Sequence, residues 1–364
     1  MVGLTSSSYH LFFWLVKVCL EFFWLCFFSL TMLEQNGNIV LRREGDNMNC
    51  PTCNITANRF GKDRNGLQRF RCPLCKKTFL EAHERPLGDM RLPLDKAVSV
   101  IHHLVEGCSI RTTERITGVE KRTILSLLAL VGERCEKLME DRIKSLKVKE
   151  VACDEIWGYV GMKAKTRAQK GHADRQAGDA WCFIGMERYT KLILAWHLGN
   201  RNAYDTITFT DKLAYATQGN FQINTDGFGP YKDAVIYSLG MQQVDFAQII
   251  KVYRSNPENE VRYSPAAYVT SNKIAVFGDP DLKRASTSHV ERQNLTVRMT
   301  MRRMTRLTNA FSKKWTNLKW AYALQFAYYN FCRVHQTLRV TPAMESKLTD
   351  HIWSIQELIS INTL

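Results

Sequence analysis

The spacing of apolar residues changes twice along this chain, and each change marks a different kind of structure. LDKAVSVIHHLVEG carries Leu94, Ala97, Val98, Ile101, Leu104 and Val105 at helical spacing, with Gly107 as a stop, and predicts a helix. SIRTTERITG predicts a second, short helix that ends at Gly118, and VEKRTILSLLALVGERCEKLM a longer third. Helix, short helix, Gly-containing turn, helix is the helix-turn-helix pattern. A small helical spacer is the plainer alternative. The pattern assigns residues 92–140 to this unit and puts Lys121, Arg122, Thr123 and Ser126 on the exposed N-terminal part of the recognition helix.

Beyond residue 148 the texture becomes that of strands. VKEVACDEIWGYV reads as one strand, and AWCFIGMERYTKLILAWHLG as two joined at Arg188 to Thr190. NAYDTITFTDKLAYAT is a helix, and NFQINTDG a short strand ending at Asp226 and Gly227. The helix GPYKDAVIYSLG, a strand around QVDFAQIIKVY and then further helices follow. Three strands, helix, strand, helix, strand, helices is the order of an RNase H-like α/β fold, a mixed sheet with flanking helices, here over residues 148–335 with a C-terminal tail at 336–364. Open sheets of this kind place active sites at strand ends, where loops converge.

Upstream the pattern gives way to cysteines. CPTC at Cys50 and Cys53 and CPLC at Cys72 and Cys75 are separated by eighteen residues, the spacing of a four-cysteine zinc ribbon over residues 46–82. A segment this short cannot bury enough apolar surface to fold alone, so one structural Zn2+ would supply its stability. Four unligated thiols or a redox Cys-x-x-Cys are the alternatives, and two pairs at this spacing favour zinc. The other cysteines, seven of eleven, are scattered singly, which fits a reducing cytoplasm better than a secreted disulfide scaffold.

Charge then narrows the partner. Fifty Lys and Arg against 35 Asp and Glu leave a formal net charge of +15, the electrostatic footprint of a nucleic-acid binder. With 45% hydrophobic and 11% aromatic residues, the chain is no disordered basic tail. The stretch ASTSHVERQNLTVRMTMRRMTRLTNAFSKKW concentrates the basic residues and contains one acid, Glu291.

That acid has two partners in the sheet. Asp154 lies in the first strand and Asp226 at the end of the fourth, neighbours in such a sheet, with Glu155 an adjacent rival to Asp154. Carboxylates forced together repel unless protonated or bound to cations. Mg2+ suits such oxygen ligands, and a third carboxylate completes a two-metal site. On a helix beginning near Ser286, Glu291, Leu295, Arg298 and Arg302 share one face, and Val290, Val297, Met301 and Met304 form an apolar stripe that packs on the sheet. Glu291 is the expected third ligand; Arg298, Arg302 and Arg303 are expected to meet phosphates.

Together CPTC, CPLCKKTF, ACDEIWGYV, NTDGFGPY and SHVERQNLTVRMTMRRMTRLTNAFSKKW resemble a DDE transposase of the first insertion-sequence family, in its fused-frame form. The resemblance covers about residues 48 to 345. It implies a catalytic triad of Asp154, Asp226 and Glu291, two Mg2+ (or Mn2+) ions per active site, and phosphoryl transfer by in-line displacement. It also implies recognition of the element's terminal inverted repeats, attack on target DNA, and a homodimer or larger assembly on DNA. No small-molecule substrate is expected, and the location is cytoplasmic, on the nucleoid. YYNFCRVHQTLRVTPAM resembles a later segment of such enzymes, with Val334 where proline is frequent, and leaves the roles of Arg333 and His335 open. The rival classes are a non-catalytic DNA-binding regulator and a structure-selective nuclease on the same fold.

Residues 1–45 stand apart. LFFWLVKVCLEFFWLCFFSL is about the length of a membrane span, but Lys17 and Glu21 interrupt it and no Lys or Arg precedes it. It is read as translated upstream sequence, with the functional start at Met32 or Met48, and a membrane role is not expected.

Overall fold

The computed structural model describes residues 48–63, 67–80, 86–171, 176–254 and 267–361, together with four two-residue strands between Leu30 and Arg43. The apolar stretch 11–30 lies almost wholly outside the described residues. Among those described, no helix is long and apolar enough to cross a membrane. Contacts divide the chain into two units, Met1–Glu84 and Arg85–Leu364.

The first unit contains a four-stranded antiparallel meander: β1 (Met48–Asn49), β2 (Thr56–Lys62), β3 (Gln68–Arg71) and β4 (Thr78–Leu80). Its buried side chains are few, chiefly Cys50, Ala57, Phe70 and Cys72. So small an apolar core cannot offset the conformational entropy of some thirty ordered residues at roughly 1–2 kcal/mol each.

The second unit opens with α1 (Leu94–Val105), α2 (Ile110–Thr117) and α3 (Lys121–Arg142), the helices that the sequence periodicity predicts. Ser109 caps α2 by accepting from the Thr112 amide at 3.0 Å, and Gly118 ends it in the left-handed region at φ 70°. Along α3, Ile124, Leu127, Leu128, Val131, Cys135 and Leu138 are buried. Each fully buried Leu or Ile contributes about 1.5–3 kcal/mol, so this face anchors the helix firmly.

The sheet has six strands in the order β7-β6-β5-β8-β9-β10. They are β5 (Glu150–Val160), β6 (Gly178–Glu187), β7 (Ile193–Gly199), β8 (Phe221–Asp226), β9 (Val244–Arg254) and β10 (Ala267–Phe277). β5, β6 and β7 are antiparallel, β8 lies parallel to both β5 and β9, and β10 returns antiparallel to β9. β5 is buried almost continuously because it is central and covered on both faces. α5 (Ala203–Ala216) and α6 (Tyr231–Leu239) cover one face, where Phe183, Phe209 and Tyr231 meet. α7 (Ser288–Thr300), a 3₁₀ turn at Arg302–Met304 and α8 (Trp315–Ala327) cover the other, where Trp196 packs on Tyr322 and Phe326.

Three features differ from the sequence expectation. β10 was not foreseen: Ser271, Asn272 and Lys273 break its apolar pattern, and as an edge strand it leaves Tyr268, Val269 and Ile274 exposed. A short helix, α4 (Ala164–Lys170), interrupts the β5–β6 connection. The basic helix begins at Ser288 and stops at Thr300, so Arg302 and Arg303 lie beyond it in the 3₁₀ turn.

The three N-terminal helices are part of the same compact unit as the sheet. A Cβ on Gly132 of α3 would sit 2.6 Å from Trp320 Cβ of α8, so glycine permits that close helix crossing. The C-terminal segment also folds back. Arg134 donates to the Ile359 carbonyl at 2.6 Å, and Trp353 N–H to the Phe331 carbonyl at 3.1 Å.

Candidate functional site

The two cysteine knuckles repeat one geometry. Cys50 N–H donates to the Ile55 carbonyl at 2.8 Å and Cys72 N–H to the Lys77 carbonyl at 3.0 Å. The residue four after the first cysteine, Asn54 or Lys76, turns left-handed (φ 53° and 61°) and donates back to that cysteine's carbonyl. All four Sγ atoms lie within 4.8 Å of one another, and Cys50 Sγ is 3.7 Å from Cys75 Sγ. Sulfurs around a tetrahedral zinc, with Zn–S of roughly 2.3 Å, lie about 3.8 Å apart. Burial raises the Cys50 thiol, but the amides of Thr52 and Cys53 and the thiols of Cys75 and Cys72 outweigh it and bring it down to about 6. Geometry and donor chemistry both fit one structural Zn2+.

The carboxylates lie on the α7 face of the sheet. β5 and β8 pair in register as far as Ala152 and Asn224. Asp154 and Asp226 each lie two residues past that last pair, which puts them on the same side of their strands, and the charge of Asp226 is felt at the Asp154 carboxyl. Asp226 caps its own turn, accepting from the Phe228 amide at 3.0 Å, and buried Gln248 donates to the Asp226 carbonyl at 3.1 Å. From α7, Asn294 Nδ2 donates to Asp154 Oδ2 at 2.7 Å. Glu291, one turn earlier, bonds to the ammonium of Lys251 on β9 and to the Thr287 hydroxyl. Asp154, Asp226 and Glu291 therefore gather at one end of the sheet.

Their mutual repulsion is visible in proton affinity. Desolvation, then the charges of Glu155, Asp226 and Glu291, push the Asp154 carboxyl up to about 7. Glu155 points to the opposite face and is likewise raised to about 7, by desolvation and by Asp226, against the lowering effects of Tyr231 and Arg201. Arg201 spans the two, 3.0 Å from Glu155 Oε2 and 3.4 Å from Asp226 Oδ2.

Among the described residues, the cysteines are the one group of three or more potential ligands whose donor atoms all lie within 4.8 Å. The carboxylates are spread more widely, each held by a donor from the protein. One buried oxygen beside these acids, Asn294 Oδ1, has no hydrogen-bond partner among the described residues, whereas Glu155 on the opposite face has the buried Tyr231 hydroxyl beside it. An open acceptor beside an acid of raised proton affinity suits a hydrated hard cation, whose waters donate and whose charge offsets the repulsion.

The basic residues expected to meet phosphate divide into two groups. Lys121, Arg122 and Ser126 are exposed and Thr123 half-buried at the start of α3, where Glu120 and Glu114 accept from the first backbone amides. Arg302 is exposed. Arg298 instead turns inward to the carbonyls of Trp157 and Met304, at 3.0 and 3.2 Å. Arg303 donates to Ser312 and Asn317, and burial lowers its guanidinium to about 10. These two secure the loop after α7. Lys121, Arg302 and Arg303 also line a cleft of about 760 Å³ with Arg111 and Lys313, and no acid lines it. His335 faces Lys191 and is half-buried, and Arg333 is exposed.

Sequence reading missed Arg201, Lys251 and Asn294. Asn294 carried a signal, being one helical turn after Glu291. Arg201 and Lys251 sit in a loop and on a strand with nothing local to distinguish them.

No protein-family model matches the chain. No curated protein matches it either. Eleven chains of solved structures match, among them endonuclease V from Bacillus subtilis, at 12% identity over 56% of this chain and 90% of that one. The TM-score is 0.21, too low for the likeness to bear on fold or activity.

Proposed function

We propose that this chain is a DNA-cleaving and DNA-joining enzyme, a transposase of the DDE type whose catalytic domain is RNase H-like. The observation that carries the reading is that Asp154 and Asp226 each lie two residues past the last β5–β8 pair, Ala152 and Asn224, with Glu291 and Asn294 brought in by a crossing helix. The sheet order, with three antiparallel strands followed by parallel β8 and β9, supports the RNase H-like assignment. The net charge of +15 and the acid-free basic cleft support DNA as the partner.

Asp154, Asp226 and Glu291 would hold Mg2+ or Mn2+, which when bound supplies a Lewis acid for the attacking and leaving oxygens of a phosphodiester. Burial and the neighbouring acids make the Asp154 charge costly in the absence of a cation. Asn294 fixes the orientation of that carboxylate through Oδ2. Gln248 and the Phe228 amide fix Asp226. Arg201 and Lys251 place positive charge beside the acids, where phosphate oxygens would approach. The cysteine ribbon and the exposed start of α3 are assigned to recognition of the element's ends. Because two ends must be joined, the working form is a dimer or larger assembly.

The test is a labelled duplex carrying an element end, with Mg2+ or with EDTA, comparing wild type with Glu291→Gln. Nicked and joined products that need both metal and Glu291 are expected, with end binding retained by the variant. Cleavage without joining would replace transposase with nuclease. Binding with no cleavage by wild type would leave a regulator.

A further inference from the structure

Aromatic rings and cations alternate across the α5 side of the sheet, beside the carboxylates. On this face Phe183 is stacked under Phe209 of α5. The next residue along, Trp181, is only half-buried, and so is its register partner Trp157. Tyr159 follows on the same face, 5.8 Å from Trp157, and Phe311 lies 4.8 Å beyond Tyr159. Trp157, Tyr159 and Phe311 lie outside the packed core.

Each stretch of this row carries a cation. The Arg201 guanidinium lies 5.0 Å from the Trp181 ring and 4.1 Å from Phe228. Lys163 Nζ is 5.5 Å from Trp157, and Lys313 Nζ is 3.3 Å from Phe311. Asp179, opposite Tyr159, accepts from the Ala164 amide and so caps the start of α4.

The row also connects to the acids. β8 pairs with β5 only as far as Ala152, and the next backbone bridge on that edge is from Val160 to Ser312, so the β5 residues between them have no paired strand on that side. Arg201, stacked on the aromatic row, is itself the group that touches Asp226.

We propose that this row binds unpaired nucleotides of the DNA strand that leads to the carboxylates, stacking bases on the rings and pairing phosphates with Lys163, Arg201 and Lys313. The proposal rests on the reading of the chain as an enzyme acting on DNA. Bases within a duplex are already stacked on one another, so half-buried rings of this kind are available only to bases that have left it. Every base has a π-face, so such a platform reads strand separation and not sequence.

The test measures binding alone, by fluorescence anisotropy of the full chain in EDTA. The probes are a short duplex with a single-stranded extension, the same duplex with abasic sugars in the extension, and a blunt duplex. Wild type is expected to prefer the base-bearing extension over the abasic one by about 5- to 150-fold for each base stacked. Trp157→Ala should erase that preference and Trp157→Phe retain most of it. Equal affinity of wild type for the base-bearing and abasic probes would overturn the proposal, whether or not the alanine variant folds. So would an equal loss by Trp157→Ala on both probes. A base preference in a protein that never cleaves would keep the stacking row and remove only the enzymatic reading.

Discussion

The two candidate metal centres contrast in how far the polypeptide assembles them by itself. In the ribbon the four sulfurs converge within 4.8 Å on two copies of one backbone turn. In the sheet the three carboxylates are drawn to one strand end but stay further apart, with Lys251, Arg201 and Asn294 occupying their oxygens. Charge explains the difference. Thiols can be neutral and pack together, whereas carboxylates at neutral pH repel and are desolvated at a cost. A sulfur site can therefore be closed by the fold, while the acids here stay apart, each bonded to a donor of the protein.

The largest expected effect is on the sulfur side. Cys72→Ser removes a buried ligand, and structural zinc contributes on the order of 10–16 kcal/mol of apparent binding energy in small metal-folded domains. Loss of zinc by elemental analysis and rapid proteolysis within residues 48–80 are expected, with the melting of 85–364 unchanged. Retention of full zinc would remove the ribbon from the comparison.

On the acid side the expected effect is smaller and depends on pH. Asp154 and Glu155 have folded values near 7 against unfolded values of roughly 4. The folded protein thus holds protons that the unfolded chain has released, and its stability falls as pH rises from about 4 through 7, then levels. The loss attributable to Asp154 is at most about 2–4 kcal/mol. In thermal melts without divalent metal, Asp154→Asn should flatten this decline, and Mg2+ should raise the wild-type melting temperature more at pH 8 than at pH 5. A wild-type curve flat across this range would contradict the clustering of acids.

How much of each centre was legible follows from the same contrast. The ribbon was open to reading because its ligands come as adjacent pairs with fixed local turns. The acids come from residues 154, 226 and 291, and only the element order could bring them together. That order was readable through β9, because central strands must be apolar on both faces. It failed at β10, where an edge strand faces water and Lys273 interrupts the run. The basic residues misled in one respect. A helical wheel put Arg298 beside Glu291, but α7 ends at Thr300, and the carbonyls of Trp157 and Met304 draw the guanidinium inward. Composition identifies a cation, and only packing determines whether it meets solvent.

The smallest effect separates two roles for the cation nearest the helix acid. Lys251 and Glu291 are both partly exposed, so their ion pair contributes no more than about 1 kcal/mol to folding. Lys251→Met should barely move the melting temperature in EDTA. Its effect should appear in the Mg2+ concentration that half-saturates the thermal shift. If Lys251 competes with metal for Glu291, the variant saturates at several-fold lower Mg2+, because one carboxylate oxygen is released from a fixed ammonium. If Lys251 instead aims Glu291 at the centre, the variant needs more Mg2+, and Lys251→Arg, which keeps the charge, restores part of the difference. The first outcome would extend the contrast between the centres to its mechanism, with protein cations holding the acid site until metal enters. The second would make Lys251 part of the scaffold that builds it.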